Sequence, residues 1–159
     1  MRDRYEPTSH FLKAIVAEDV ALSGSQWAEQ NLQRLIELTR DDDRSNRDWA
    51  TFLLAQEEAD HPAIRAALLH AAKDDDEVVR AEAVLGLAKR DVLLALPFVQ
   101  EGLRAATVAI PMLEAAAICA HPSLVSDLRI WAEPSDEPFA DEAAADALAA
   151  CEGISPANF

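Results

Sequence analysis

Asp74-Asp75-Asp76-Glu77-Val78-Val79-Arg80-Ala81-Glu82-Ala83-Val84-Leu85-Gly86-Leu87-Ala88 decides the fold, because an earlier stretch repeats its plan. Asp41-Asp42-Asp43 is followed by Arg47, Ala50 and Leu54-Ala55; thirty-three residues on, Asp74-Asp75-Asp76 is followed by Arg80, Ala83 and Leu87-Ala88. Each block is an acidic turn, a lone Arg and an apolar helical face. A fixed period of this length marks a solenoid of helix pairs, in which one pair cannot bury both faces and stacking supplies the core.

Outward from these blocks the pattern weakens in steps. The first copy predicts a helix over about 44–57 and a second opening at His61-Pro62, with Pro where its missing N–H costs nothing. The second predicts helices over 77–89 and from Asp91 to near Gly102, read as a C-cap region. A third, eroded copy aligns at a spacing of 32: Glu82-Ala83 with Glu114-Ala115, and Leu87-Ala88 with Cys119-Ala120. Its second helix opens at His121-Pro122, as in the first copy. Upstream, 10–22 reads as an amphipathic helix and 26–39 as a helix capped by Ser25. Downstream, 139–151 is Ala-rich on one side and acidic on the other, as an end cap requires. The expected organisation is an N-terminal segment (1–25), a repeat array (26–152) and a flexible tail (153–159). The expected fold is all-α, a right-handed α-α superhelix of about seven or eight helices.

The string from Asp74 to Ala88 resembles a HEAT-like repeat, and more narrowly the short HEAT repeats first described in phycobilisome lyases. Val79-Arg80, Ala83 and Leu85-Gly86 carry the likeness. The first copy keeps Asp43, Arg47, Ala50 and Leu54 but has Asn46 before the Arg and Leu53 at the Gly position. The resemblance implies that Arg47 and Arg80 reach the acidic turns and carbonyls of adjoining repeats. It also implies that second helices line an inner, concave face, which places Arg65, Leu69, Gln100, Arg104 and Trp131 on or near a protein-binding surface.

Composition narrows the function. Half of the 159 residues are hydrophobic, mostly Ala and Leu, with 6% aromatics and only four Gly. Fourteen Lys and Arg against 29 Asp and Glu give a net charge of −15, which repels nucleic acid and anionic membranes and attracts basic partners. From Ala105 onward, nine acids face one base, Arg129, and that third carries −8. No apolar run is long enough to span a membrane, and the start has no apolar signal core, so the expected location is the cytoplasm. Cys119 and Cys151 fit free thiols better than a disulfide frame. The four His lack metal spacing, adjacent acids such as Glu57-Glu58 point apart, and no phosphate loop or Ser elbow is present. No catalysis, metal or cofactor is expected.

Trp49 fills the slot that Glu82 occupies in the next copy, a slot compatible with solvent. It either anchors a partner or packs on the N-terminal segment or the preceding helix. Trp27 and Trp131 read as core residues sealing the ends. The leading expectation is a non-enzymatic protein-interaction module, a HEAT-like scaffold or adaptor whose partner presents a basic surface. One alternative is an acidic immunity or inhibitor protein that blocks a basic toxin or enzyme. The other, resting on the family likeness alone, is a chromophore (bilin) lyase or its subunit. Oligomeric state is not set by the sequence.

Overall fold

The acidic triplets each build a turn and start a helix. Asp43 Oδ1 accepts from the Ser45 and Asn46 amides at 2.8 and 3.4 Å, and Asp76 Oδ1 accepts from Val78 and Val79 at 2.9 and 3.0 Å. These satisfy amides that a helix start leaves without partners. The first Asp of each triplet orders the turn itself: Asp43 N–H donates to Asp41 Oδ2 at 3.1 Å and Asp76 N–H to Asp74 Oδ1 at 2.9 Å. The recurring His-Pro pairs cap in the same manner, since His61 Nδ1 accepts from the Ala63 amide and His121 Nδ1 from Ser123.

A computed structural model describes residues 5–153. Among them are nine α-helices: α1 (His10–Val16), α2 (Gln26–Leu38), α3 (Arg44–Gln56), α4 (Pro62–Ala71), α5 (Glu77–Ala88), α6 (Val92–Leu103), α7 (Ile110–Cys119), α8 (Val125–Trp131) and α9 (Pro138–Cys151). A 3-10 turn, Pro122–Leu124, precedes α8, and the described residues contain no strand. The tail expected beyond Gly153 lies outside the described residues. The odd helices stack in one row, with α3 on α5, α5 on α7 and α7 on α9; the even helices form the second row and pack on their odd neighbours. One apolar core runs through the stack from Leu12 in α1 to Cys151 in α9.

Small residues set the spacing of the rows. A Cβ on Gly86 would lie 2.7 Å from Ala55 Cβ and 3.0 Å from its Cα, so Gly86 lets α5 sit directly on α3. α6 ends at Leu103 with Arg104 as its cap, near Gly102 as expected. A Cβ on Gly102 would meet Met112 Cε at 2.7 Å, so its smallness also admits the α7 side chain.

Elsewhere the structure departs from expectation. The first helix ends at Val16 rather than at 22, because Glu18 takes a left-handed φ of 61°. Trp27 does not seal an end: it is 73% exposed, because α2 buries Ala28 and Leu35 one face away. Trp131 is half-buried and its Nε1 donates to the Leu103 carbonyl at 2.7 Å, tying α8 to the end of α6.

α1 joins the odd row against α3. Asn46, the residue that departs from the repeat pattern, makes this possible. Its Oδ1 accepts from the Ser9 amide at 2.9 Å, and its Nδ2 donates to Thr8 Oγ1 and Asp41 Oδ2, both at 2.9 Å.

Candidate functional site

The residues singled out from the sequence fall into two groups. Arg65, Leu69, Gln100, Arg104 and Trp131 all sit on the even row or at its helix ends, and four of them bridge helices. Arg65 spans from Asp60 to Asp91, the cap of α6, at 2.6 and 3.3 Å. Gln100 Nε2 donates to Ser123 Oγ at 2.9 Å, and Arg104 Nε to Asp127 Oδ2 at 3.2 Å. With the Trp131 bond, these links join α4, α6 and α8 where direct packing between even helices is sparse. Leu69 is half-buried on α4.

Trp49 stands apart on the odd row. It is half-buried, stacked on Tyr5 (centroids 6.2 Å apart, 20° between planes) and edge-on to Phe52 (5.8 Å, 87°). The slot is therefore not open to free solvent, and packing on the N-terminal segment supplies one wall of a groove. Tyr5, Asp48, Trp49 and Phe52 meet Val78 and Glu82 of α5 around a volume of about 190 Å³. Helical spacing explains the grouping: Asp48, Trp49 and Phe52 lie on the face of α3 that meets the Val78–Glu82 face of α5.

Two carboxylates share this groove, and among the described residues that line it there is no cation. Burial pushes the Glu82 carboxyl up to about 7, and the nearby charges of Asp48 and Glu114 push the same way, against a small opposing effect of Lys89. Among the described residues, Glu82 takes part in no side-chain hydrogen bond or ion pair. Asp48 accepts from the Tyr5 hydroxyl at 3.0 Å, and burial raises its carboxyl as well. Tyr5 is pushed up to about 12 by burial and by that bond, so it remains a neutral donor. The nearest guanidinium, Arg44, is engaged by Asp76. Partly desolvated carboxylates edged by aromatic faces are a setting in which an ammonium or guanidinium gains both ion pairing and cation–π attraction.

Sequence reasoning singled out Trp49 but not Glu82, Asp48 or Tyr5. The available signal was the alignment of Trp49 with Glu82: neighbouring repeats place matched positions side by side on the odd row. Arg90 was also missed. Its guanidinium donates to the carbonyls of Leu54, Ala55 and Glu57 at the end of α3 and to Gly86 of α5, and burial lowers its pKa. It staples two repeats, as Arg47 does. Arg47 Nη1 donates to the Asp41 and Asp42 carbonyls, and its Nε meets Asp74 Oδ2 at 3.1 Å. Arg80 falls short of the staple expected of it: among the described residues it donates only to the Asp74 carbonyl, within its own turn.

Neither Cys is activated. Burial pushes Cys119 up to about 11 and also raises Cys151, whose Sγ lies 3.7 Å from the Ala116 carbonyl. No helix among the described residues is long and apolar enough to cross a membrane.

Paired helices stacked in two rows, with capped acidic turns and Arg staples, define an α-α repeat array. The family model described as HEAT repeats matches residues 31–118, more than half of the chain, and the protein belongs to the HEAT-repeat family. Among solved structures, the chain is similar to YibA of Escherichia coli, with 24% identity and a TM-score of 0.58. That match covers 87% of this chain and 54% of YibA, so the chain spans about half the length of the protein it resembles, and the likeness is one of fold. No curated protein matches the chain.

Proposed function

We propose that this HEAT-repeat array is a non-enzymatic protein-interaction module that receives a Lys or Arg side chain of its partner in the Trp49 groove. The observation that carries this reading is Glu82: a half-buried carboxylate with no cation partner, held beside Asp48 and the rings of Trp49 and Phe52. Leaving an ionised group partly desolvated is costly, and a partner's cation relieves that cost. The net charge of −15 favours encounter with such a partner. The even-row residues serve this reading less well, because Arg65, Gln100, Arg104 and Trp131 already hold neighbouring helices together.

A basic enzyme or toxin would present the same chemistry, so an inhibitor is a special case of this proposal rather than a rival to it. The unit repeat resembles the short type first described in phycobilisome lyases, by the Val79-Arg80 and Leu85-Gly86 pattern. We carry over the repeat and not the lyase activity, which would rest on that likeness alone.

The test is affinity capture from the native cell extract with wild-type protein and with Glu82→Gln. The expected result is a specific basic protein whose affinity falls at least tenfold in the variant and rises from pH 6 to pH 8 in the wild type, as Glu82 ionises. Equal capture by both proteins, or affinity flat across that pH range, sinks the assignment to this groove.

A further inference from the structure

The walls of the Trp49 groove restrict the kind of cation it can hold. Three aromatic rings line it, those of Tyr5, Trp49 and Phe52. Tyr5 and Trp49 lie nearly parallel, 20° apart, with centroids separated by 6.2 Å. That is near the wide end of the stacking range of about 4.5–7 Å, so the overlap is partial and ring face is left uncovered. Phe52 stands across Trp49 at 87°. The indole Nε1 of Trp49 is buried, so what this residue offers the groove is carbon alone. The Tyr5 hydroxyl is taken by Asp48, and Val78 extends the carbon wall.

Acceptors are few by comparison. No Ser, Thr, Asn or Gln lines the groove, and the carbonyls of α3 and α5 beneath it are engaged within their helices. Two carboxylates remain. Asp48 Oδ2 already accepts from Tyr5. Glu82 bonds to no side chain among the described residues, yet neither of its oxygens is among the buried atoms left without a partner. Its carboxylate is therefore accessible, in contrast to Oε1 of Glu77. An unmodified lysine ammonium brings three N–H donors and an arginine guanidinium five. Between carbon walls, one carboxylate and the free oxygen of another leave some of those donors facing carbon, at a desolvation cost. Methylation of the ammonium removes donors and keeps the charge. The methyl groups then present that charge to ring faces, and a carboxylate attracts it without needing an N–H.

We infer that this groove recognises an Nε-methylated lysine of the partner in preference to the unmodified side chain. The inference rests on the reading of the groove as the partner site, and adds the chemical form of the cation. The methylated ammonium lies against the rings of Trp49 and Phe52, with Glu82 as its counter-ion. Asp48, held in place by Tyr5, is the second acid. A side chain suits the site better than a free quaternary ammonium compound. The space of about 190 Å³ is smaller than the ~300–1,000 Å³ of pockets that enclose a whole small ligand. It takes the end of a side chain while the rest of the partner stays outside.

The experiment is an NMR titration of the full chain with acetyl-Gly-Gly-Lys-Gly-Gly-amide, with the same peptide trimethylated on its lysine, and with choline. The trimethylated peptide is expected to bind at least fivefold tighter than either of the others. Its N-methyl proton signal should move upfield on binding, as ring currents require of methyl groups lying over aromatic faces. Phe52→Leu should weaken binding of the trimethylated peptide at least threefold and change that of the unmodified peptide less than twofold. Should Phe52→Leu fail to fold, the N-methyl shift on the wild-type chain decides. Equal or tighter binding of the unmodified peptide overturns this inference and leaves the groove standing as a site for a basic side chain. Choline bound as tightly as the trimethylated peptide overturns the choice of a side chain as ligand. Absence of saturable binding by either peptide at millimolar concentration overturns the groove assignment itself.

Discussion

Glu82 links the energetics of the fold to its chemistry. Its carboxyl titrates at about 7 in the folded chain against an ordinary 4.5, so between those values the folded state holds a proton that the unfolded state has released. Stability therefore falls as pH rises from about 4.5 to 7 and levels off above. Replacing Glu82 with Gln removes that slope. After allowance for solvent screening of a partly exposed group, the variant should be more stable than wild type by about 1–2 kcal/mol at pH 8 and nearly equal to it at pH 4.5. Urea unfolding at the two pH values reads this directly, and an equal difference at both would show that Glu82 is not desolvated. Arg90 works in the opposite sense, as a half-buried cation surrounded by four carbonyls of α3 and α5. Arg90→Ala leaves those acceptors at a helix end without partners and should cost about 2–4 kcal/mol. Arg90→Lys should recover only part of that loss, since one ammonium cannot reach carbonyls spread over both helices. Chemical denaturation of the two variants gives the comparison.

At the scale of elements, the repeats were legible where their devices are local. An Asp two positions before a capped amide and a Pro at a helix start each act through neighbours in sequence, so α3, α4 and α5 were readable to within a residue or two. What escaped was set by partners far along the chain. Arg90 reads as an ordinary charged residue until the end of α3 is laid against it. Trp27 reads as a sealing aromatic, yet it is exposed because Ala28 and Leu35 fix which face of α2 turns inward. Asn46 looked like a blemish in the repeat and proved to be the tie for α1. The Trp49 groove was half legible, since its aromatic stood out while its carboxylates looked like two among 29 acids. Asn46→Ala removes the bonds to Ser9 and Thr8 and should loosen α1 without disturbing the centre of the array. The expected outcome is hydrogen exchange at least tenfold faster across residues 10–16, with amides of α5 and α7 unchanged. Uniform acceleration through all helices would instead mean that α1 and the array open as one unit.

For the whole molecule, the question is which electrostatic effect dominates. Seven ion pairs stabilise the described residues, and screening weakens them. Most are exposed on at least one side, for instance Arg104 and Arg129 at 66% each, and such pairs contribute about 0–1 kcal/mol apiece. Against them stands the mutual repulsion of an excess of 15 negative charges on a chain of 159 residues. In a two-row stack, every repeat lies within a few Debye lengths of the next, so the excess acts across the array at low salt. The C-terminal third carries −8 of the total and has only one base, Arg129, bound to Glu152 at 3.1 Å. Repulsion should prevail over pairing. Thermal melts at pH 7.5 should show Tm rising between about 10 and 200 mM NaCl as the Debye length falls from about 30 to below 10 Å. The same salt should slow association with a basic partner, because screening removes the steering that the negative field provides. A Tm that falls with salt would show that the staples outweigh the excess charge, and the acidic composition would then need a reason other than attraction of a partner. Rising Tm together with slowed association is the signature of a chain that gives up some stability of its own for a field directed outward.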